Sequence, residues 1–453
     1  MCKDSKHPGH THSHSDSNAH SHFHSHLSGE GHLHTNPHAH SHSHDDAGRT
    51  LASRRAFLGS LLASAVVAPF AFGQEQSRVA MAEQFRRMSE DYEAKGLADP
   101  FVGITNNGRV QPDLFEIAPT GLSTEPVRNA AEKFIASLSS VQLAHTMFPI
   151  DDAKWRKWMN QHFYLSQGLC FQEMSAEQRD LAFGLMRASL SQSGFELTRN
   201  IMRLNETLAE LSDDHEFLGE WLYYVSIFGK PSATDPWGWQ LDGHHAIINY
   251  FVLGDQVVMT PHFFGSEPVK APSGKYKGLT ILQQEQADGL AMLNGLSAAQ
   301  QKQAVLNFSK TGNNNLTEAF KDNVVLDYAG ARGSDFDSGT KKRLTELVHL
   351  YVSNMPEGQA RVKMDQVTKH MDDTWFAWIG DSKTDSAFYY RVQSPVILIE
   401  FDHQRPANLR KFATDPDKPT QQHVHCVVRT PNGNDYGKDL LRQHYLAHPH
   451  QQA

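Results

Sequence analysis

An α+β fold is what this sequence predicts: an antiparallel β-sheet core packed with helices and helical hairpins in a single large domain. Three observations carry that expectation. Aromatic and β-branched runs are separated by short Asp-Gly, Gly-Asp and Ser-Pro turns, which favours antiparallel meanders over long crossovers. Helical and strand patterns come in alternating groups rather than in strict strand-helix-strand units. Neither a repeat period nor a Pro/Gly/Ser linker divides residues 74–453, which therefore read as one domain, helical over 76–211 and mixed over 220–453. A chain of 453 residues, 39% hydrophobic and 21% charged, is long enough to bury a large core.

The helices can be placed in order. Residues 76–95 and 124–146 are amphipathic, the second opened by Ser123 or Thr124 with Glu125 and Pro126 in its first turn. Residues 174–211 read as a helical hairpin with a Ser175–Gln178 capping box and a break at Gly194. Further helices fit 282–308, broken near 295–297, and 339–369, broken near Pro356, with a last helix at 436–448. Strands fill "EWLYYVSIFG" (220–229), "WGWQLDGHHAIINYFVLGDQVVMTPHFFG" (237–265), "DTWFAWIGDSKTDSAFYYRVQSPVILIEFDH" (373–403) and "QQHVHCVVR" (421–429).

The N-terminus belongs to a different class of chain. Residues 1–48 hold half of the 28 histidines, spaced as H-x-H among Ser, Gly, Asn and Asp, and no core can form from them. Such a leader is expected to be disordered until it binds something, and alternating imidazoles suit Zn, Cu or Ni; a plain polar leader or an artefact is the alternative. Residues 49–73 follow as a signal segment. In "SRRAFLGSLLASAVVAPFAFG" (53–73), Arg54 and Arg55 with Phe57 and Leu58 match the twin-arginine pattern S-R-R-x-F-L. The apolar run after them is short and rich in small residues, which argues for cleavage near residues 71–73 and against a span of about 20 apolar residues. The expected partner is the twin-arginine export machinery, with the membrane met only in transit and a periplasmic or extracellular destination.

Charge narrows the function. Basic and acidic residues balance within 1–73, so the rest of the chain keeps the net −9, and no basic nucleic-acid footprint exists. Of three cysteines, Cys2 would leave with the signal; Cys170 and Cys426 could form one disulfide or stay as two buried thiols.

The candidate site begins at His423 and His425. On a strand, residues i and i+2 share a face, roughly 6.8 Å apart, so both imidazoles point one way with Val427 and Arg429 while Val424, Cys426 and Val428 point the other. In "PVILIEFDH", Glu400 and Asp402 share a face opposite Ile397, Ile399 and Phe401. In "QLDGHHAIINY", alternation groups Asp242 with His244, and His245 with Ile247 and Phe251. Buried charge needs a partner. A metal held by His244, His245, His423 and His425 would supply one, with Asp242, Glu400 and Asp402 as catalytic carboxylates and His444 as a further ligand candidate. Hydrogen bonds and salt bridges to Arg391, Arg429 or Arg442 are the structural alternative, and a metal-free catalytic site is the third. Histidines with a carboxylate suit a transition metal such as Zn, Fe, Mn or Cu. The familiar nucleophile-elbow, H-E-x-x-H, phosphate-loop and dinucleotide motifs are missing. Trp237, Trp239, Trp375 and Trp378 read as core or as pocket lining.

The chain from 74 to 453 resembles the domain of unknown function 3500 family of bacterial and fungal proteins. The resemblance rests on "DDAKWRKWMN" (151–160), 220–258, "DDTWFAWIGD" (372–381), "FYYRVQSPVILIEFD" (388–402), the His423-x-His425 pair and "DYGKDLLRQHY" (435–445). It implies a family and no particular reaction. The leading functional expectation is an exported metal-binding domain performing hydrolytic or oxidative chemistry on a small-molecule substrate. A non-catalytic metal-capturing protein and a metal-free binding or hydrolytic domain are the alternatives.

Overall fold

The computed structural model describes residues 83–448, apart from residue 85 and residues 162–166. The histidine-rich leader, Arg54 and Arg55 with their signal segment, Cys2 and the start of the 76–95 helix lie outside the described residues.

Local signals place most helices and shift their ends. The single helix expected over 124–146 is two, Glu125–Ala136 and Ser140–Thr146, because Ser139 and Gln142 form a capping box that starts the chain afresh. The hairpin is Ala176–Ser189 and Gln192–Ser212, opened by the Ser175–Gln178 box. Its break falls at Leu190–Ser191, before Gly194, since the Ser191 hydroxyl accepts from the Gly194 amide and caps the second helix. Gly194 serves close approach instead: a Cβ there would stand 2.4 Å from the Asn354 carbonyl oxygen. Helices Gln283–Asn294 and Ala298–Ala304 follow, after which Val305–Asn307 joins the sheet edge rather than extending the helix to 308. Helices Ser338–Val352 and Glu357–Lys369 flank Pro356, and Lys438–Ala447 closes the described chain.

Eight principal strands form the sheet: β1 (Tyr223–Phe228), β2 (Trp237–Gly243), β3 (Ala246–Leu253), β4 (His262–Ser266), β5 (Trp375–Gly380), β6 (Phe388–Gln393), β7 (Leu398–His403) and β8 (Val424–Arg429). Their order is β1-β2-β3-β4-β8-β7-β6-β5, antiparallel throughout. Two four-strand meanders are thus joined where β4 pairs with β8. Short strands extend the edges: Met147–Phe148 runs parallel to β1, and Val305–Asn307 parallel to β5. The fold is α+β.

The two faces differ in chemistry. Val424, Cys426 and Val428, with Ile399, Phe401, Trp239 and Trp378, pack with the helices in one continuous apolar cluster. The opposite face carries Glu400, Asp402, His425 and Arg429 among a smaller apolar group of Trp155, Trp158, Ile247, Phe263, Val427 and Tyr436, and irregular segments cover it. Trp237, Trp239 and Trp378 are core, while half-buried Trp375 stacks on Tyr328 at 4.2 Å. Cys170 and Cys426 are separate buried thiols.

Candidate metal centre

The seam between the meanders gathers three histidines. His245 closes the two-residue turn between β2 and β3, with φ of 63°, and its amide donates to the Asn160 carbonyl at 3.2 Å. That turn resets the strand alternation. Asp242 consequently lies on the face of Ile247 rather than across from it, and its Oδ1 accepts from the Met159 amide at 3.1 Å. His423 stands immediately before β8, and His425 lies within it, paired across to Gly265 of β4 and Asp402 of β7. Only glycine fits at 265: a Cβ would meet the Val424 carbonyl oxygen at 2.4 Å and the rings of His245 and His425 at 3.2 and 3.3 Å.

The ring nitrogens converge. His425 Nε2 lies 3.1 Å from His245 Nε2 and 3.1 Å from His423 Nε2, and one ligand atom from each residue lies within 4.8 Å of the others. Nitrogens about 2.05 Å from a tetrahedral ion are about 3.3 Å apart, so the spacing suits a metal. All three residues are buried, with exposures of 4, 5 and 7% for His245, His423 and His425.

Hydrogen bonds behind the rings decide their tautomers. His423 Nδ1 is 2.6 Å from the Arg405 carbonyl oxygen, which can only accept, so Nδ1 carries the proton. His425 Nδ1 is 2.7 Å from Glu318 Oε1 and donates to it. Burial works to raise the Glu318 pKa, but His425, Asn315 and Lys321 outweigh it and hold the carboxyl below its ordinary range, ionised. With both rings neutral, the two Nε2 atoms would present lone pairs to each other at 3.1 Å. Burial, aided by His425, pushes the His423 pKa down to about 4 against the pull of Glu267, so the His423 ring keeps an Nε2 lone pair near neutral pH. The three rings could hold a metal ion. The arrangement of carboxylate, imidazole and ligand position is the one that fixes ring orientation and raises ligand basicity in metal sites.

The other residues singled out in the sequence stand elsewhere. His244 stacks on His245 with ring centroids 3.9 Å apart, but its Nδ1 bonds Asn205 Oδ1 at 2.8 Å and its carbonyl accepts from the Tyr223 hydroxyl. His444 lies on the last helix, 5.1 Å from the ring of His448. Glu400 and Asp402 do not join the histidine cluster; they hold a loop. Glu400 accepts from the Leu316 and Thr317 amides, the Thr317 hydroxyl and the Tyr389 hydroxyl. Asp402 accepts from the Asn314 amide at 2.6 Å and from Gln404, and pairs with buried Lys310 at 2.9 Å. Burial raises the Asp402 pKa to about 6 and lowers that of Lys310.

Among the described residues, neither carboxylate takes an arginine partner. Arg429 pairs with Asp322 and Asp435, Arg442 with Asp439, and Arg391 donates to the Asp327 carbonyl.

That loop delivers Glu318. A second clamp works on the other side: buried Glu267 accepts from the amides of Ala407, Asn408 and Leu409, just past the Arg405 carbonyl that binds His423. Sequence reasoning missed Glu318, Glu267 and Lys310. Glu318 sits in "NNNLTEAF", which has no strand or helix period, and it reaches His425 across 107 residues.

A family model described as Protein of unknown function (DUF3500) matches residues 120–438, more than half of the chain, and that span contains every residue of the centre. The chain belongs to that family. No curated protein and no solved structure matches it.

Proposed function

We propose that this member of the DUF3500 family holds one divalent transition metal on His245, His423 and His425 and uses it in hydrolytic chemistry on a small molecule. The observation that carries the reading is the convergence of three buried imidazoles, with His425 Nε2 3.1 Å from Nε2 of both His245 and His423, while Nδ1 of His423 and of His425 faces the Arg405 carbonyl and Glu318. Three neutral ligands would leave the full charge of the ion uncompensated and a coordination position free, the arrangement that makes zinc a strong Lewis acid toward water or a carbonyl. Iron or copper on the same ligands would turn the chemistry oxidative.

Two buried polar atoms favour a small polar substrate. Asn160, whose carbonyl takes the His245 amide, and Asn315, whose Nδ2 donates to Glu318, leave Nδ2 and Oδ1 respectively without a hydrogen-bond partner among the described residues. Burying such an atom unpaired costs about 1–3 kcal/mol, which a polar ligand would recover.

The test is metal content by elemental mass spectrometry on the untagged chain from residue 74, beside a His423→Ala/His425→Ala variant. One equivalent in the parent and its loss in the folded variant is the expected result; a parent that neither carries metal nor takes it up refutes the reading. Cobalt substitution then separates catalysis from storage, since an open position changes the visible spectrum on adding small anions and a closed one does not. Export is proposed on the segment around Arg54 and Arg55, and Arg54→Lys/Arg55→Lys is expected to strand the chain in the cytoplasm, as fractionation would read.

A further inference from the structure

A cavity lies between the helices Ser338–Val352 and Glu357–Lys369 and the strands β4 and β8, and none of the three clustered histidines lines it. Its walls are largely apolar, with Val258, Tyr351, Met355, Ile397, Val428 and Leu440 among them. Two polar groups on that lining are incompletely served by the fold.

The first is Lys363. Its Nζ donates to the Val396 carbonyl at 2.7 Å and to the Thr430 hydroxyl at 3.3 Å, both neutral, and lies 5.9 Å from the Phe115 ring. Among the described residues it forms no ion pair with a carboxylate. Asp435, the acid that acts on it, is engaged by Arg429 and the Thr430 amide. Glu116, also on the lining, is exposed and makes no ion pair with Lys363. Burial accordingly lowers the Lys363 pKa to about 8, which leaves it protonated near neutral pH. Lys363 is only partly buried, and its ammonium, with three N–H donors, meets no charged acceptor among the described residues.

The second is His262 of β4. It is buried, kept neutral by a pKa that burial pushes down to about 3, and no described residue hydrogen-bonds its ring nitrogens.

We propose that this cavity binds a small carboxylate-bearing molecule with an apolar body, its carboxylate on the Lys363 ammonium and its body against the aliphatic and aromatic walls. The ligand supplies the counter-ion that the fold withholds. His262 offers a further hydrogen bond to an oxygen on the same ligand.

Calorimetric titration of the full chain with hexanoate and with hexan-1-ol tests this. Saturable binding of one hexanoate per chain is expected, with hexan-1-ol at least about tenfold weaker because it lacks the charge. Lys363→Met should weaken hexanoate by about tenfold or more and leave hexan-1-ol unchanged. Should Lys363→Met fail to fold, Val258→Phe, which fills the cavity and spares the lysine, is expected to abolish binding of both ligands. Absence of hexanoate binding, equal affinity for the alcohol, or undiminished hexanoate binding in either variant overturns the proposal.

Discussion

At the scale of single residues, the candidate metal centre is a matter of which nitrogen holds the proton. The Arg405 carbonyl and the Glu318 carboxylate each hold an Nδ1, which turns both Nε2 atoms inward. Glu318 also keeps its charge beside the ligand, which strengthens His425 as a donor. Glu318→Ala is therefore expected to lower metal affinity about ten- to hundredfold, measured by competition against a chromophoric chelator. Equal affinity in the variant would detach Glu318 from the site. Gly265 acts by absence, since any side chain there would run into a backbone oxygen and two ligand rings.

At the scale of elements, two irregular segments are held to the sheet by buried carboxylates that bind backbone amides. Glu400 and Asp402 on β7 clamp residues 314–317, and Glu267, just beyond β4, clamps 407–409. Each clamp ends next to the group that orients a histidine. Hydrogen bonds to a charged acceptor contribute about 1.5–3 kcal/mol each, so these attachments are firm although the segments lack regular structure. Glu400→Ala should speed hydrogen exchange of the Leu316 and Thr317 amides by about tenfold or more, leave the β7–β8 amides protected, and weaken metal binding together with that loosening. Unchanged exchange at those two amides would refute the clamp. In the sequence these carboxylates look catalytic, because strand alternation exposes the buried charge while the amides that satisfy it belong to a loop more than 80 residues away.

At the scale of the whole molecule, the sheet buries histidines that must stay neutral. His403 accepts the Phe388 amide at Nδ1 and donates from Nε2 to Gln286, and burial lowers its pKa, like that of His262, to about 3. With an unfolded value near 6.5, each is neutral in the fold but protonated in the unfolded chain below that pH. Their stabilising contribution is complete above pH 6.5 and is lost as pH falls toward 3. Between pH 7 and pH 5 the two together should cost about 4 kcal/mol, a large share of a typical domain's stability. Urea unfolding of the parent and of His403→Gln at the two pH values checks this: the variant's loss of stability from pH 7 to pH 5 is expected to be smaller by about 2 kcal/mol, and an equal loss in both would refute it.

Periodicity and turn chemistry are local properties, and they carried the α+β class, most helices, the capping box at Ser175 and the shared face of His423 and His425 without reference to anything distant. Pairing of β4 with β8 is what brings His245 to those two residues, 180 residues of chain away from His425. No local signal encodes that pairing, because any two apolar strands of suitable length can align. Register, and with it the ligand set, is settled only when both faces of the assembled sheet are buried at once.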